Sequence, residues 1–86
     1  MIRGEIWTVA GGVYASKPWP AVIVQDDLFD STLSVVVAPM TSRLVDAPDK
    51  LTAVRRPNVL TRVGRLTSDQ LVEVERSLMA FLGLAR

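Results

Sequence analysis

The sequence predicts a mainly β domain with one C-terminal α-helix, on three observations. Two short runs dominated by β-branched residues, Ala21 to Val24 and Leu33 to Ala38, are bounded by Pro, Asp or Ser, which is the composition and length of buried strands. Towards the C-terminus, Leu71, Val74, Leu78, Phe81 and Leu82 fall at helical spacing. The chain has 86 residues, 49% of them apolar, which fits a single domain over 1–86 and excludes a disordered tail. A domain this small buries a modest share of its surface, so a partner is expected to cover part of the rest.

The elements follow in order. Glu5-Ile6-Trp7-Thr8-Val9 alternates as a first strand after Gly4. Ala10 to Ser16 reads as a hairpin connection loosened by Gly11 and Gly12, with a partly buried Tyr14; a segment that orders on binding is the alternative. Pro18 and Pro20 hold Lys17 and Trp19 in extended conformations, so these two side chains are expected to point the same way at the start of the second strand. The acidic DDLFD stretch, Asp26 to Asp30, reads as a turn capped by its own carboxylates rather than as a cation loop, because its spacing is not that of a calcium site.

In the next strand Leu33, Val35 and Val37 share one face and Ser34, Val36 and Ala38 the other, so burial on both sides is expected. Leu44 to Pro57 carries no assignable element, and Leu60 to Leu66 reads as a last short strand. The helix is expected over Ser68 to Leu82. Thr67 and Gln70 have capping-box spacing, Asp69 suits the positive end of the helix dipole, and Gly83 ends the helix. Val72 and Met79 widen its apolar stripe sideways.

Composition narrows the chemistry. The chain has no Cys and no His, which removes thiolate nucleophiles, disulfides, imidazole acid–base catalysis and the usual zinc ligands. No cofactor or metal site is expected. Apolar runs are too short to span a bilayer and MIRGEIW has no signal-peptide core, so a cytoplasmic protein is expected. The net charge of +1 is unevenly placed: residues 1–42 carry −2 and residues 43–86 carry +3. Arg43, Lys50, Arg55, Arg56, Arg62 and Arg65 precede the helix with only Asp46 and Asp49 against them, either as a patch for a phosphate backbone or as solvated loop charges.

If the two central strands pair antiparallel, the Lys17-Pro18-Trp19-Pro20 end of one lies beside the Pro39-Met40-Thr41-Ser42-Arg43 end of the other. A functional site is expected there. RGEIW, KPWPAVIVQDDLF, VVVAPMTS and VGRLTSDQLVEVERSLMAFLGLA, taken together and in this order, resemble the MazF/PemK (Kid) group of toxins from type II toxin–antitoxin systems. The resemblance implies an SH3-like small barrel of the CcdB/MazF kind, a homodimer, metal-independent cleavage of single-stranded RNA, and a cognate antitoxin as partner. Two departures stand out. The family carries a catalytic Arg immediately before the Pro that opens the second strand, where this chain has Trp19; and family members carry roughly twenty more residues in the middle, about one hairpin's worth.

The catalytic Thr at the end of the next strand is matched by Thr41, which the resemblance therefore makes a catalytic residue. Cleavage through the 2′-hydroxyl also needs charge or donors on the phosphorane. With the usual Arg missing, Arg43 is the first candidate to supply it and Lys17 the second, because a guanidinium can hold two phosphate oxygens and an ammonium acts as a point charge. Ser42 adds a donor, Trp19 a ring on which a base could stack, and Arg55 and Arg56 backbone contacts. The plain alternatives are a partly buried strand-end aromatic for Trp19 and a turn hydroxyl for Thr41. Two other functions are compatible with the fold. One is a gyrase-binding toxin of the CcdB kind, disfavoured because the helix end reads Phe81-Leu82-Gly83-Leu84 where those toxins have Trp-Gly-Ile. The other is a catalytically silent member that binds RNA or antitoxin.

Overall fold

A computed structural model of the chain describes residues 1–11, 17–29, 31–40 and 51–84. Among the described residues five strands are followed by one helix: β1 Glu5–Val9, β2 Trp19–Ile23, β3 Ser34–Pro39, β4 Thr52–Arg55, β5 Val59–Arg65 and α1 Ser68–Phe81. They form one antiparallel sheet in the order β4-β3-β2-β1-β5. β4 and β5 occupy opposite edges, yet only the 3-10 turn Arg56–Asn58 joins them. A flat sheet would separate those edges by about 19 Å, whereas the four residue steps from Arg55 to Val59 reach at most about 14 Å. The sheet therefore rolls up into an open, barrel-like shape.

The two faces of the rolled sheet carry two apolar clusters. Val9, Trp19, Ala21, Ile23, Val35, Val37, Val54 and Val59 fill the concave side, and the presence of both edge residues, Val54 and Val59, marks it as the inside of the roll. On the convex side Val22, Val24, Leu66 and Val74 form a second cluster, with Ile6, Val36, Ala38, Leu71 and Leu78 packed against it. Double-sided burial of β3 is thus correct for Val35 to Ala38. It fails for Leu33, which is 88% exposed because it precedes the first paired residue, Ser34.

β2 begins two residues earlier than expected, since Trp19 already pairs with Val9 and Pro20 with Thr8. β4 lies in the stretch to which no element could be assigned. Its four residues alternate Thr52, Ala53, Val54, Arg55 with Val54 alone buried, too little pattern to stand out.

The helix has both ends built as the sequence indicates. The Thr67 hydroxyl accepts the Gln70 backbone N–H at 3.2 Å while the Gln70 side chain accepts the Thr67 N–H at 2.9 Å. At the other end Gly83 takes φ +75°, its N–H reaches Ala80 O, and the Leu84 N–H reaches Met79 O at 2.8 Å, which is the Schellman closure. Only the first three turns reach the sheet. Phe81 and Leu82, expected to complete the apolar stripe, are exposed.

Acidic residues after β2 make a turn: Asp26 Oδ1 accepts the Leu28 N–H at 2.9 Å, and Asp27–Phe29 form a 3-10 turn. Arg3 binds this corner to the rest of the molecule. Its guanidinium donates to Val24 O at 3.0 Å and to Glu75 Oε2 of the helix at 3.1 Å, with Asp26 at 3.6 Å.

Candidate functional site

Antiparallel pairing of β2 with β3 sets Ala21 opposite Pro39, and the Met40 N–H donates to Pro20 O at 3.0 Å. The start of β2 and the end of β3 are therefore side by side, as the two Pro-flanked ends required. Proline suits both positions. Pro20 uses its carbonyl and has no N–H to leave unpaired, and Pro39 is the last residue of its strand. Thr41, Ser42 and Arg43 lie outside the described residues.

Lys17 and Trp19 do not share an environment. Lys17 precedes β2 at a bend and is exposed, with no ion pair among the described residues. Trp19 is 8% exposed, packs into the concave cluster and donates its indole N–H to Gly11 O at 2.9 Å. Strand parity fails here because Lys17 lies outside the strand. The ring is a core aromatic, and the expectation that it offers a face to a base is corrected accordingly. Gly11, expected only to loosen the connection, accepts the indole N–H and takes a left-handed conformation at φ +85°.

The basic stretch divides in the same way. Arg56 is part of the frame: its backbone N–H donates to Leu33 O at 3.1 Å, its Nε to Thr32 O, and its Nη1 contacts Met1 Sδ at 3.7 Å. These bonds tie the β4–β5 junction to the β2–β3 turn, so the half-buried Arg56 has a structural role in addition to the nucleic-acid contact expected of it. Arg62 is likewise engaged, with Nε 2.9 Å from Glu5 Oε2. Arg55 and Arg65 remain exposed, without an ion pair among the described residues. Arg55 pairs with Ser34 at the start of β3, about 17 Å along that strand from the Pro39 end, so the structure does not bring it to the joined strand ends.

Glu5 is a polar centre that composition did not reveal. Its side chain is only 13% exposed and accepts the Ile2 N–H at 2.7 Å, the Trp7 indole N–H at 3.3 Å and the Arg62 guanidinium. The Ile2 backbone N–H above all, aided by Trp7 and Arg62 against the opposing effect of burial, holds its pKa below the usual carboxylate value. A second concavity, a groove of 870 Å³, runs between α1 and the convex face of the sheet. Val24, Val36, Leu51, Leu71, Leu78 and Met79 are among its walls, with Arg3, Asp26 and Glu75 also lining it. Gln25, Thr32 and Ser34 place it at the turn end of the β2–β3 pair, away from Pro20 and Met40.

Three solved structures share this architecture. An endoribonuclease in complex with its cognate antitoxin from a mycobacterial species superposes with TM-score 0.82 at 17% identity, covering 100% of this chain and 98% of that one. A second mycobacterial endoribonuclease gives 0.77 at 16% identity, with 98% and 92% covered. A MazE–MazF structure from Deinococcus radiodurans gives 0.73 at 17%, with 98% and 96% covered. At such identities the likeness is one of fold. In sequence, the chain is 40% identical to a probable endoribonuclease MazF of Mycolicibacterium smegmatis over 99% of both proteins. That alignment runs to 108 positions, 22 more than this chain has residues, so the relative carries positions that this chain lacks. The family model described as PemK-like, MazF-like toxin of type II toxin–antitoxin system matches residues 2–55, well over half of the chain. On that match and the full-length identity, the chain belongs to the PemK-like, MazF-like family of type II toxins.

Proposed function

We propose that the protein is an endoribonuclease toxin that cleaves single-stranded RNA without a metal and is held in check by a cognate antitoxin. The observation that carries this reading is the full-length 40% identity to a probable endoribonuclease. It is supported by the junction of the β2 start with the β3 end, where the sequence concentrates Lys17, Thr41, Ser42 and Arg43. In the proposed reaction the ribose 2′-oxygen gives up its proton to solvent water and bonds to the adjacent phosphorus. The bond to the 5′-oxygen breaks, that oxygen takes a proton from water, and a cyclic phosphate remains. Arg43 stabilises the phosphorane, with Thr41 and Ser42 as hydroxyl donors and Lys17 as the second cation.

The antitoxin is read as an extended acidic segment that meets the basic excess of residues 43–65. With Arg56 and Arg62 tied into the fold, Arg55 and Arg65 are the described cations left for that contact. The protein is read as a cytoplasmic homodimer; no helix among the described residues is long and apolar enough to cross a membrane. One observation favours a second reading, a silent member that binds RNA or antitoxin without cleaving: the position of the family's catalytic Arg holds the buried Trp19.

Substitution at the proposed charge donor separates the two. Arg43→Ala is expected to slow cleavage of a single-stranded RNA on the order of a hundredfold, with the circular dichroism spectrum unchanged. A variant that cleaves at the parental rate removes Arg43 from the mechanism, and an inert parent protein favours the silent member.

A further inference from the structure

We infer that Thr8 and Thr61 form a subsite for a nucleotide flanking the cleaved bond of single-stranded RNA, on the convex face of the sheet beside the joined ends of β2 and β3. The inference rests on the nuclease reading and deepens it.

Strand register places the two threonines. Thr8 pairs with Pro20 on one side and with Thr61 on the other, and the Pro20 carbonyl accepts the Met40 N–H. Thr61, Thr8, Pro20 and Met40 therefore make one row that runs across the sheet and ends at the junction. Neighbouring strands lie about 5 Å apart, so Thr8 and Thr61 stand about 5 and 10 Å from Pro20 along the row. Val9, Trp19 and Ala21 belong to the concave cluster, so Thr8 and Pro20, which alternate with them, face the convex side, and Thr61 faces it by its pairing with Thr8. The adjacent row of Ile6, Val22 and Ala38 is packed into the cluster that the helix covers. Pro20 and Thr61, one row further on, are exposed.

β5 is shaped to present this row. Its register with β1 shifts between Ile6 and Trp7 and again between Thr8 and Val9, which makes Val63 and Leu60 the extra residues of two bulges on either side of Thr61 and Arg62. Bulges re-aim side chains and interrupt a strand edge. Alternation is lost as a result, and Leu60, Thr61, Arg62 and Val63 are all exposed. A strand bulged twice in seven residues does not extend a regular ladder into a second copy of the chain, so the surface is read as a face for a ligand. The Thr8 hydroxyl oxygen accepts the Thr61 N–H at 3.2 Å, whereas the Thr61 hydroxyl has no hydrogen bond among the described residues. That group can both donate and accept. It suits the ribose hydroxyl or base edge that an unpaired nucleotide exposes, and no carboxylate lies in the row to repel the phosphates. Leu60 and Val63 supply apolar surface on both sides.

Substrate length tests the inference in the intact chain. A cleavage site is mapped in a single-stranded RNA, and a fluorescently labelled oligonucleotide spanning it is shortened one nucleotide at a time from each end to the least length still cleaved. Thr61→Val, which removes the hydroxyl at nearly constant shape, is expected to lower kcat/KM about fivefold on the full oligonucleotide, the scale of one hydrogen bond, and to match the parent on the shortest. Thr61→Ser keeps the hydroxyl and is expected to act as the parent at every length. Parental activity of Thr61→Val on the full oligonucleotide, an equal loss at all lengths, or a Thr61→Ser protein as impaired as Thr61→Val overturns the inference. So does a change in sedimentation on substitution, which would give this surface to a second copy. If Thr61→Val fails to fold, Thr61→Ala is read against the same outcomes. If the parent does not cleave, the nuclease reading fails, and affinity for the same oligonucleotides by fluorescence anisotropy decides the subsite. A loss confined to the longer ones supports it, and any other pattern overturns it.

Discussion

Trp19 shows how much depends on whether a side chain faces the core. By the family resemblance it stands where a catalytic Arg is expected, and putting that Arg back would be the natural experiment. In the fold its ring lies among Val9, Ala21, Ile23 and Val59, so Trp19→Arg sets a guanidinium against apolar side chains, where the indole N–H now meets Gly11 O. We expect destabilisation of about 3 kcal/mol or more rather than a gain in activity, read as a lower urea midpoint. An Arg variant as stable as the parent would show that the position can turn outward. Glu5 makes a prediction about pH. Its folded pKa is depressed, so it contributes stability above its unfolded pKa of ~4.3, and that contribution is lost as pH falls through the lower folded value. Unfolding midpoints measured from pH 7 to pH 3 are expected to fall more steeply for the parent than for Glu5→Gln, which holds the Ile2, Trp7 and Arg62 donors without a titrating charge; parallel curves would refute this.

At the scale of elements, legibility in the sequence followed the strength of local pattern. The helix could be read almost to the residue because its stops are chemical: Thr67 with Gln70 at one end and Gly83 at the other. Thr67→Ala removes one of the two capping bonds and is expected to cost about 1 kcal/mol, measurable as a shift in thermal midpoint. No shift would mean that water replaces the cap without loss. β1, β2, β3 and β5 were visible as β-branched or alternating runs. β4 was hidden because four residues with one buried Val give no period, and it exists through its pairing with β3. The site was half legible. Flanking prolines located the joined strand ends, whereas the fates of Trp19 and Arg56 depended on Gly11 O and Thr32 O, acceptors that long-range folding brings near and no spacing rule encodes.

Over the whole molecule, the rolled sheet covers one face with itself and the other with a helix that reaches only partway. The 870 Å³ groove beneath α1 and the exposed Phe81, Leu82 and Leu84 are part of the apolar surface that a domain of this size leaves uncovered. A homodimer is expected to bury part of it, and sedimentation at micromolar concentration is expected to return about twice the 9.4 kDa chain mass. A monomer there would contradict the expectation. For the antitoxin, charge reversal at Arg55 and Arg65 together is expected to weaken binding in a salt-dependent way, and unchanged affinity would remove the electrostatic part of the contact. Metal-independent cleavage is tested by incubating the purified protein with a long single-stranded RNA, with and without EDTA. Equal cleavage in both, with products ending in a cyclic phosphate, is expected; cleavage that stops with EDTA and returns with magnesium would rule the mechanism out.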